Sequence, residues 1–412
     1  MGKVLLVLLI VVAAVVVITA AVNTVLMLLQ LKFIEKNVKS VKYENQLRPL
    51  YDTNSGAAVF TTDGDFSVMQ LTDVHIGGGW MSFNKDRKAI EAVAAMITAE
   101  KPDLVAVTGD IAYPVPFQAG TFNNRIPAKI FGRLMEKLGV YWAPVLGNHD
   151  TEAYACFNRA YIGRYYEEHR YSKNHSDKYC LFKSGDKSLH GVGNYVVQVK
   201  NTLGVITQCL FFMDTGSYVD NDFFGIFWRY DGMHQNQIDW YEKQLKDFEK
   251  CNSKLGAGMP KSLMFFHIPI AQYKEAWNQY RENGFSDTEE VKRFYGEVGE
   301  KGGVFPSLHP DKVFETICRL GSTKGTFCGH DHLNNFSMDY KGIRLTYGLT
   351  VDYLAYVGIK KYGFQRGCTM IDIRPDGSFD CKSENYYQEK YGNADCGSVT
   401  MEHYYPNVER PV

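Results

Sequence analysis

The chain has 412 residues, with 45 Lys and Arg against 46 Asp and Glu, so its formal charge is −1. That balance gives no global basic field, and nucleic acid is not an expected partner on charge alone. An apolar share of 45% with 14% aromatics suits a globular protein with a large core.

The chain opens on Val4 to Leu31, an apolar run broken only by Thr19, Asn23, Thr24 and Gln30. A span of about 20 such residues crosses a bilayer as a helix, whereas a cleaved signal has an apolar region of about 7–15 residues. Residues 1–31 are therefore expected to be an uncleaved, single-pass membrane anchor. Lys32, Lys36, Lys39 and Lys42 follow it and favour a cytoplasmic domain, although long domains also translocate against that bias. Residues 32–64 are polar and read as a juxtamembrane linker, which leaves 65–412 as one folded domain.

From there, strands and helices alternate. Phe66 to Leu71 alternates as a strand and runs into Asp73-Val74-His75. Asn84 to Glu100 has helical spacing, with Asn84 as its expected cap. A strand over Asp103 to Val107 leads to Gly109-Asp110. A helix over Pro127 to Leu138 precedes a strand over Tyr141 to Leu146, which leads to Gly147-Asn148-His149-Asp150. Residues 151–191 read as a helical excursion, 194–200 with 205–213 as a hairpin, and 234–250 as an amphipathic helix. Ser262 to Phe266 is a strand ending at His267. Residues 272–303 read as a mobile, charged insertion. The helix Asp311 to Leu320 leads to the apolar run before Gly329-His330-Asp331-His332. Further strands are expected in 335–347 and 363–373, and an irregular tail from Asp376. In such alternating folds ligands gather beyond the carboxyl ends of the strands, where each of these motifs falls.

The five strand-end motifs, in this order, resemble the calcineurin-like metallophosphoesterases, which include the purple acid phosphatases. The resemblance covers roughly residues 66–350. It implies an α/β fold, a four-layer αββα sandwich of two mixed sheets with flanking helices. It also implies two divalent or trivalent ions (Mn, Fe or Zn) and hydrolysis of phosphate monoesters or diesters by a metal-bound hydroxide. Paired dications neutralise the anionic ester and lower the pKa of a bound water. Carried over residue by residue, the pattern gives one ion Asp73, His75 and His332, and the other Asn148, His267 and His330. Asp110 bridges them, and His149 remains as a catalytic non-ligand that donates a proton to the leaving oxygen or stabilises the transition state. Tyr113 matches an iron-binding tyrosine of the purple acid phosphatases, but His75 is favoured as the ligand and Tyr113 as an aromatic wall. The chain is similar to the compact, single-domain branch of that group.

Competing readings are a non-catalytic binding module on the same fold, and a surface nucleotide phosphodiesterase or nuclease. Asp150 and Asp331 either orient histidines or cap loops, and His190, His234 and His309 are given no role. Arg125, Arg159 and Arg229 are read as solvated or structural rather than phosphate-gripping. Cys209, Cys318 and Cys328 are expected to be buried thiols. Cys156 with Cys180, and Cys381 with Cys396, are candidate disulfides if the domain is exported. The resemblance to secreted phosphatases and these pairs together place the domain outside the cytoplasm.

Overall fold

The structure is a computed structural model and describes residues 2–53, 55–173, 179–222, 225–356, 359 and 366–395. An N-terminal helix α1 (Gly2–Asn37) is followed by two short strands, β1 (Leu50–Tyr51) and β2 (Ala58–Thr61). Alternation then begins with β3 (Phe66–Leu71), α2 (Phe83–Glu100), β4 (Leu104–Thr108), the short α3 (Pro116–Ala119), α4 (Arg125–Leu138) and β5 (Trp142–Val145). Helix α5 (Arg159–Glu167) precedes the pair β6 (Tyr195–Lys200) and β7 (Ile206–Phe212). Next come α6 (Gln235–Ser253), β8 (Lys261–Phe265), α7 (Ala271–Glu282), β9 (Val291–Tyr295), α8 (Val313–Leu320) and β10 (Thr323–Cys328). The described residues end with β11 (Ser337–Tyr340), β12 (Ile343–Tyr347), β13 (Gly367–Ile373), β14 (Phe379–Asn385) and α9 (Glu389–Gly392).

Among the described residues, two mixed sheets result. One has five strands in the order β14-β13-β3-β4-β5, and the other nine in the order β1-β2-β6-β7-β8-β10-β12-β11-β9. Strands β3, β4 and β5 run parallel, as do β7, β8, β10 and β12 in the larger sheet. Central parallel strands are covered on both faces, which is why Leu104-Val-Ala-Val-Thr108 is buried throughout.

Alternate side chains of a strand point to opposite faces, and this builds the layers. Phe212, Phe265 and Phe327 stack in a row, with centroids 5.1 Å apart at each step, and pack in one core with Val68 and Val105 of the smaller sheet. Their neighbours Phe211, Met264 and Cys328 face the other way, against Ile238, Tyr241 and Tyr273 of α6 and α7. Truncating one of the stacked phenylalanines to alanine costs about 3–5 kcal/mol. Helices α2 and α4 join the first core through Ile90, Val93, Ile97 and Leu134. The order is therefore helix, sheet, sheet, helix.

Several expectations differ in detail. Residues 32–64 are not free chain: α1 runs on to Asn37, β2 pairs parallel with β6, and Phe60 is fully buried. Two- and four-residue strands are too short to show a period. Helix α2 begins at Phe83, so Asn84 lies inside it and Ser82 holds the cap position. The 272–303 segment is structured by α7 and by β9, which pairs with β11, because Tyr273 and Ala276 are buried. Beyond Asp376, β14 extends the smaller sheet. Cys209 and Cys328 are buried as expected, whereas Cys318 is exposed. Cys156, Cys180 and Cys381 carry free thiols, and Cys396 lies outside the described residues.

Helix α1 is long and apolar enough to cross a membrane, a property that signal sequences share. Its later turns dock on the domain through Asn23, Gln30 and Ile34, and Val38 just after it is buried as well.

Candidate metal centre

Each motif lies just past a strand. Asp73 and His75 follow β3, Asp110 follows β4, Asn148 and His149 follow β5, His267 follows β8, and His330 and His332 follow β10. Asp73, His75, Asp110 and His330 all have positive φ, at 50°, 51°, 51° and 78°. Such a conformation is costly for a residue with a Cβ, and it clusters where function over-determines the backbone. The glycines before these motifs serve close approach: a Cβ on Gly147 would stand 2.1 Å from Asp110 Oδ1, and one on Gly329 1.8 Å from Thr72 Oγ1.

The seven expected ligands converge in two groups that share one atom. In the first, His75 Nε2 lies 3.4 Å from Asp110 Oδ2, and His332 Nε2 lies 3.4 Å from Asp73 Oδ1. The donor atoms of Asp73, His75, Asp110 and His332 all fall within 4.8 Å of one another. In the second, His267 Nε2 lies 3.1 Å from Asp110 Oδ2 and 3.0 Å from Asn148 Oδ1, which is 3.1 Å from His330 Nδ1. Metal–nitrogen and metal–oxygen bonds of about 2.1 Å set donor–donor edges of roughly 3.0 Å in an octahedron and 3.4 Å in a tetrahedron. The measured separations match those edges, so the donor set fits a pair of ions with Asp110 Oδ2 between them.

Electrostatics favour positive charge here. Burial alone would raise the Asp110 carboxyl, but His267, His149 and His75 hold it well below the usual carboxylate range. Burial opposes a charged His75, yet Asp352 and Asp110 push it up to about 10. His267 is pushed up to about 9, against burial, chiefly by Asp110. Burial and the neighbouring His267 instead hold His330 well below the usual histidine range, which leaves its ring nitrogen free to bind a cation.

The supporting contacts show what was missed. Asp352, fully buried, lies 3.2 Å from His75 Nδ1 and 3.7 Å from His332 Nδ1. It also accepts the backbone N–H groups of Leu354, Ala355 and Tyr356. His267 Nδ1 donates to the Thr108 carbonyl at 2.8 Å, which turns its Nε2 lone pair inward. His149 Nδ1 lies 2.7 Å from Glu152 Oε1, and the Tyr218 hydroxyl donates to the same oxygen at 3.1 Å. The only hint of Asp352 was an acid in an apolar stretch, and of Glu152 its place three residues past His149.

Other residues sort plainly. Asp150 accepts the N–H groups of Asp110, Ala112 and Gly147, and Asp331 those of Phe305 and the Tyr347 hydroxyl, so both act on loops. Arg159 is tied to Asp214 and to the Leu146 and Gly147 carbonyls. The Tyr113 ring packs 4.7 Å from both His75 and His149. His149, His330 and His332 face an open cavity of about 950 Å³, walled by Tyr113, Trp228 and Tyr356.

A second cluster lies at the base of the segment 217–231. Asp231 holds His190 Nε2 at 3.0 Å and His234 Nε2 at 3.1 Å, and His309 stacks on His234 at 4.0 Å.

The sequence profile of the calcineurin-like phosphoesterases matches residues 66–334. A protein named probable inactive purple acid phosphatase 28, from Arabidopsis thaliana, is 28% identical over 72% of this chain and 73% of its own length. Phosphatase DCR2 from Saccharomyces cerevisiae is 29% identical over 71% of this chain and 48% of its own. A solved dimetal phosphatase from Danio rerio overlays with a TM-score of 0.47 and 13% identity, over 78% of this chain and 96% of that one. With the profile spanning all but the outer parts of the chain, this protein belongs to the calcineurin-like phosphoesterase family.

Proposed function

We propose that the protein is a metal-dependent phosphoesterase that hydrolyses phosphate monoesters or diesters. The observation that carries this is the pair of donor groups, spaced like coordination edges, sharing Asp110 Oδ2. Asp73, His75, Asp110 and His332 would hold one ion, and Asp110, Asn148, His267 and His330 the other. Bound there, such ions neutralise the ester's charge and activate water. His149, facing the cavity and backed by Glu152, is placed to donate a proton to the leaving oxygen. The Glu152 carboxylate fixes the orientation of the ring. Asp352 holds the two imidazoles of the first group in register.

A second reading, a non-catalytic module on this fold, takes support from the name of the Arabidopsis relative. Purified full-length protein separates the two. The enzyme reading expects about two ions of Mn, Fe or Zn per chain and hydrolysis of a chromogenic aryl phosphate. Stoichiometric metal without hydrolysis of an aryl monoester or diester would establish the module instead.

We also propose that α1 anchors the domain as a single membrane span, with the domain outside the cytoplasm. The free thiols remove the disulfide half of that argument, so the placement rests on likeness to secreted phosphatases against the lysines after the span. Protease digestion of intact and permeabilised cells decides it: digestion only after permeabilisation places the domain inside.

A further inference from the structure

Asn23 is an unusual residue to find in the apolar helix α1, and it is buried against the domain rather than open to its surroundings. Its amide donates to the Gly120 carbonyl at 3.0 Å, and its oxygen accepts the Trp80 N–H at 2.9 Å. Two loops therefore meet the helix at one level. They are the loop after His75, which carries Trp80 and Met81, and the loop around α3, which carries Phe117 and Phe122. The two loops touch: Met81 N–H donates to the Ala119 carbonyl.

These loops expose apolar side chains at that level. Phe117 is 89% exposed and Trp80 55%, and Met81 and Phe122 are exposed beside them. Residues 76–84 and 111–124 contain no Asp, Glu, Lys or Arg, in a chain that is 22% charged. Contiguous apolar surface of this kind marks a contact site.

Helix length says what lies opposite. Val4 to Val22 is 19 residues, roughly 28 Å of helix and close to the roughly 30 Å of a bilayer core. The core boundary then falls at Asn23. Beyond it, Val25, Leu28 and Leu29 remain exposed on the face turned away from the domain. An apolar helix face and an apolar loop rim thus emerge side by side at the height where the lipid ends.

Resting on the reading of α1 as a span, we propose that Trp80, Met81, Phe117 and Phe122 form a rim seated in the lipid bilayer interface. Aromatic side chains favour that layer because their rings are apolar and an edge is polar. The rim also fixes where the cavity opens. Tyr113 lines the cavity, and Phe117 follows it by four residues, at most about 14 Å of chain. The domain does not swing on a tether; its mouth is held beside the lipid headgroups.

Tryptophan fluorescence tests this in the full chain, reconstituted in phosphatidylcholine vesicles with brominated acyl chains. Helix α1 has no tryptophan, and of the five in the chain Trp142 is buried and Trp228 lines the cavity. Brominated lipid is expected to quench the wild type. Trp80→Phe should abolish that quenched component while keeping metal content, and adding Phe117→Trp should restore it. Wild-type emission indifferent to bromine, or quenching unchanged in Trp80→Phe, would overturn the rim. A carbonate wash of the vesicles tests the span separately: release of the chain refutes the anchor and the rim together, whereas retention without quenching refutes the rim alone.

Discussion

In the metal centre the imidazole planes cross, at 66° for His75 and His332 and at 80° for His267 and His330. At the base of the segment 217–231, His190 and His234 lie 3.5 Å apart and within 13° of parallel. An imidazole binds an ion along its nitrogen lone pair, in the plane of its own ring. Crossing rings can aim their lone pairs at one ion between them; nearly parallel rings stacked with centroids 3.5 Å apart aim theirs side by side. On distance alone His190, Asp231 and His234 make a ligand set, with donors within 4.8 Å. Ring orientation makes them instead a carboxylate that accepts two N–H groups. Closeness of donors does not make a metal site; convergence does.

The largest effect that would break this contrast is loss of metal from the wrong cluster. Asp110→Asn is expected to abolish both metal binding and hydrolysis, because it disables the shared oxygen. The double variant His190→Gln/His234→Gln should leave the metal-to-protein ratio unchanged, as measured by elemental analysis. Next in size, Asp352→Asn should weaken metal affinity about 10–100-fold, the usual effect of removing a ligand's hydrogen-bond partner. Asp231→Asn should not change it. His149→Ala should keep its metals and lose roughly 10²-fold in rate. Glu152→Gln should keep its metals and cost less in rate than His149→Ala, since it alters the partner and not the donor. If His149→Ala strips metal, its role as a non-ligand is wrong.

The smallest effect is a pH dependence of stability at the stacked cluster. Asp231, through a hydrogen bond that outweighs partial burial, raises His190, with Asp214 adding to it and Arg159 opposing. A raised histidine contributes stability that is complete below its unfolded value, about 6.5. The contribution fades as pH rises through the folded value. The difference in Tm between wild type and His190→Gln should therefore be largest at acidic pH and shrink through the neutral range. A difference independent of pH would mean that His190 acts by packing alone.

The strand-end motifs were legible because each donor lies within four residues of an apolar run that can only be a buried strand. The two-sheet architecture came with the resemblance those motifs carry. Asp352 was not legible: it lies twenty residues beyond His332, and its two partners come together only when the sheets pack. Glu152 has a visible spacing from His149, but acids near loops are common and carry no signal alone. The stacked histidines are separated by 44 and 75 residues, so only the fold brings them together. Strands β1 and β2 escaped because two or four residues have no readable period.

The carboxylate of Asp352 has one further consequence. His75 leaves the five-stranded sheet, while His332 and Asp352 leave the nine-stranded one. A single side chain thus rivets the two halves of the sandwich at the place where ions are to be gripped. Slippage of one half by an ångström would loosen both imidazoles at once. Ion retention in this protein is therefore a gauge of how well its two halves are aligned, and it should fail before either half melts.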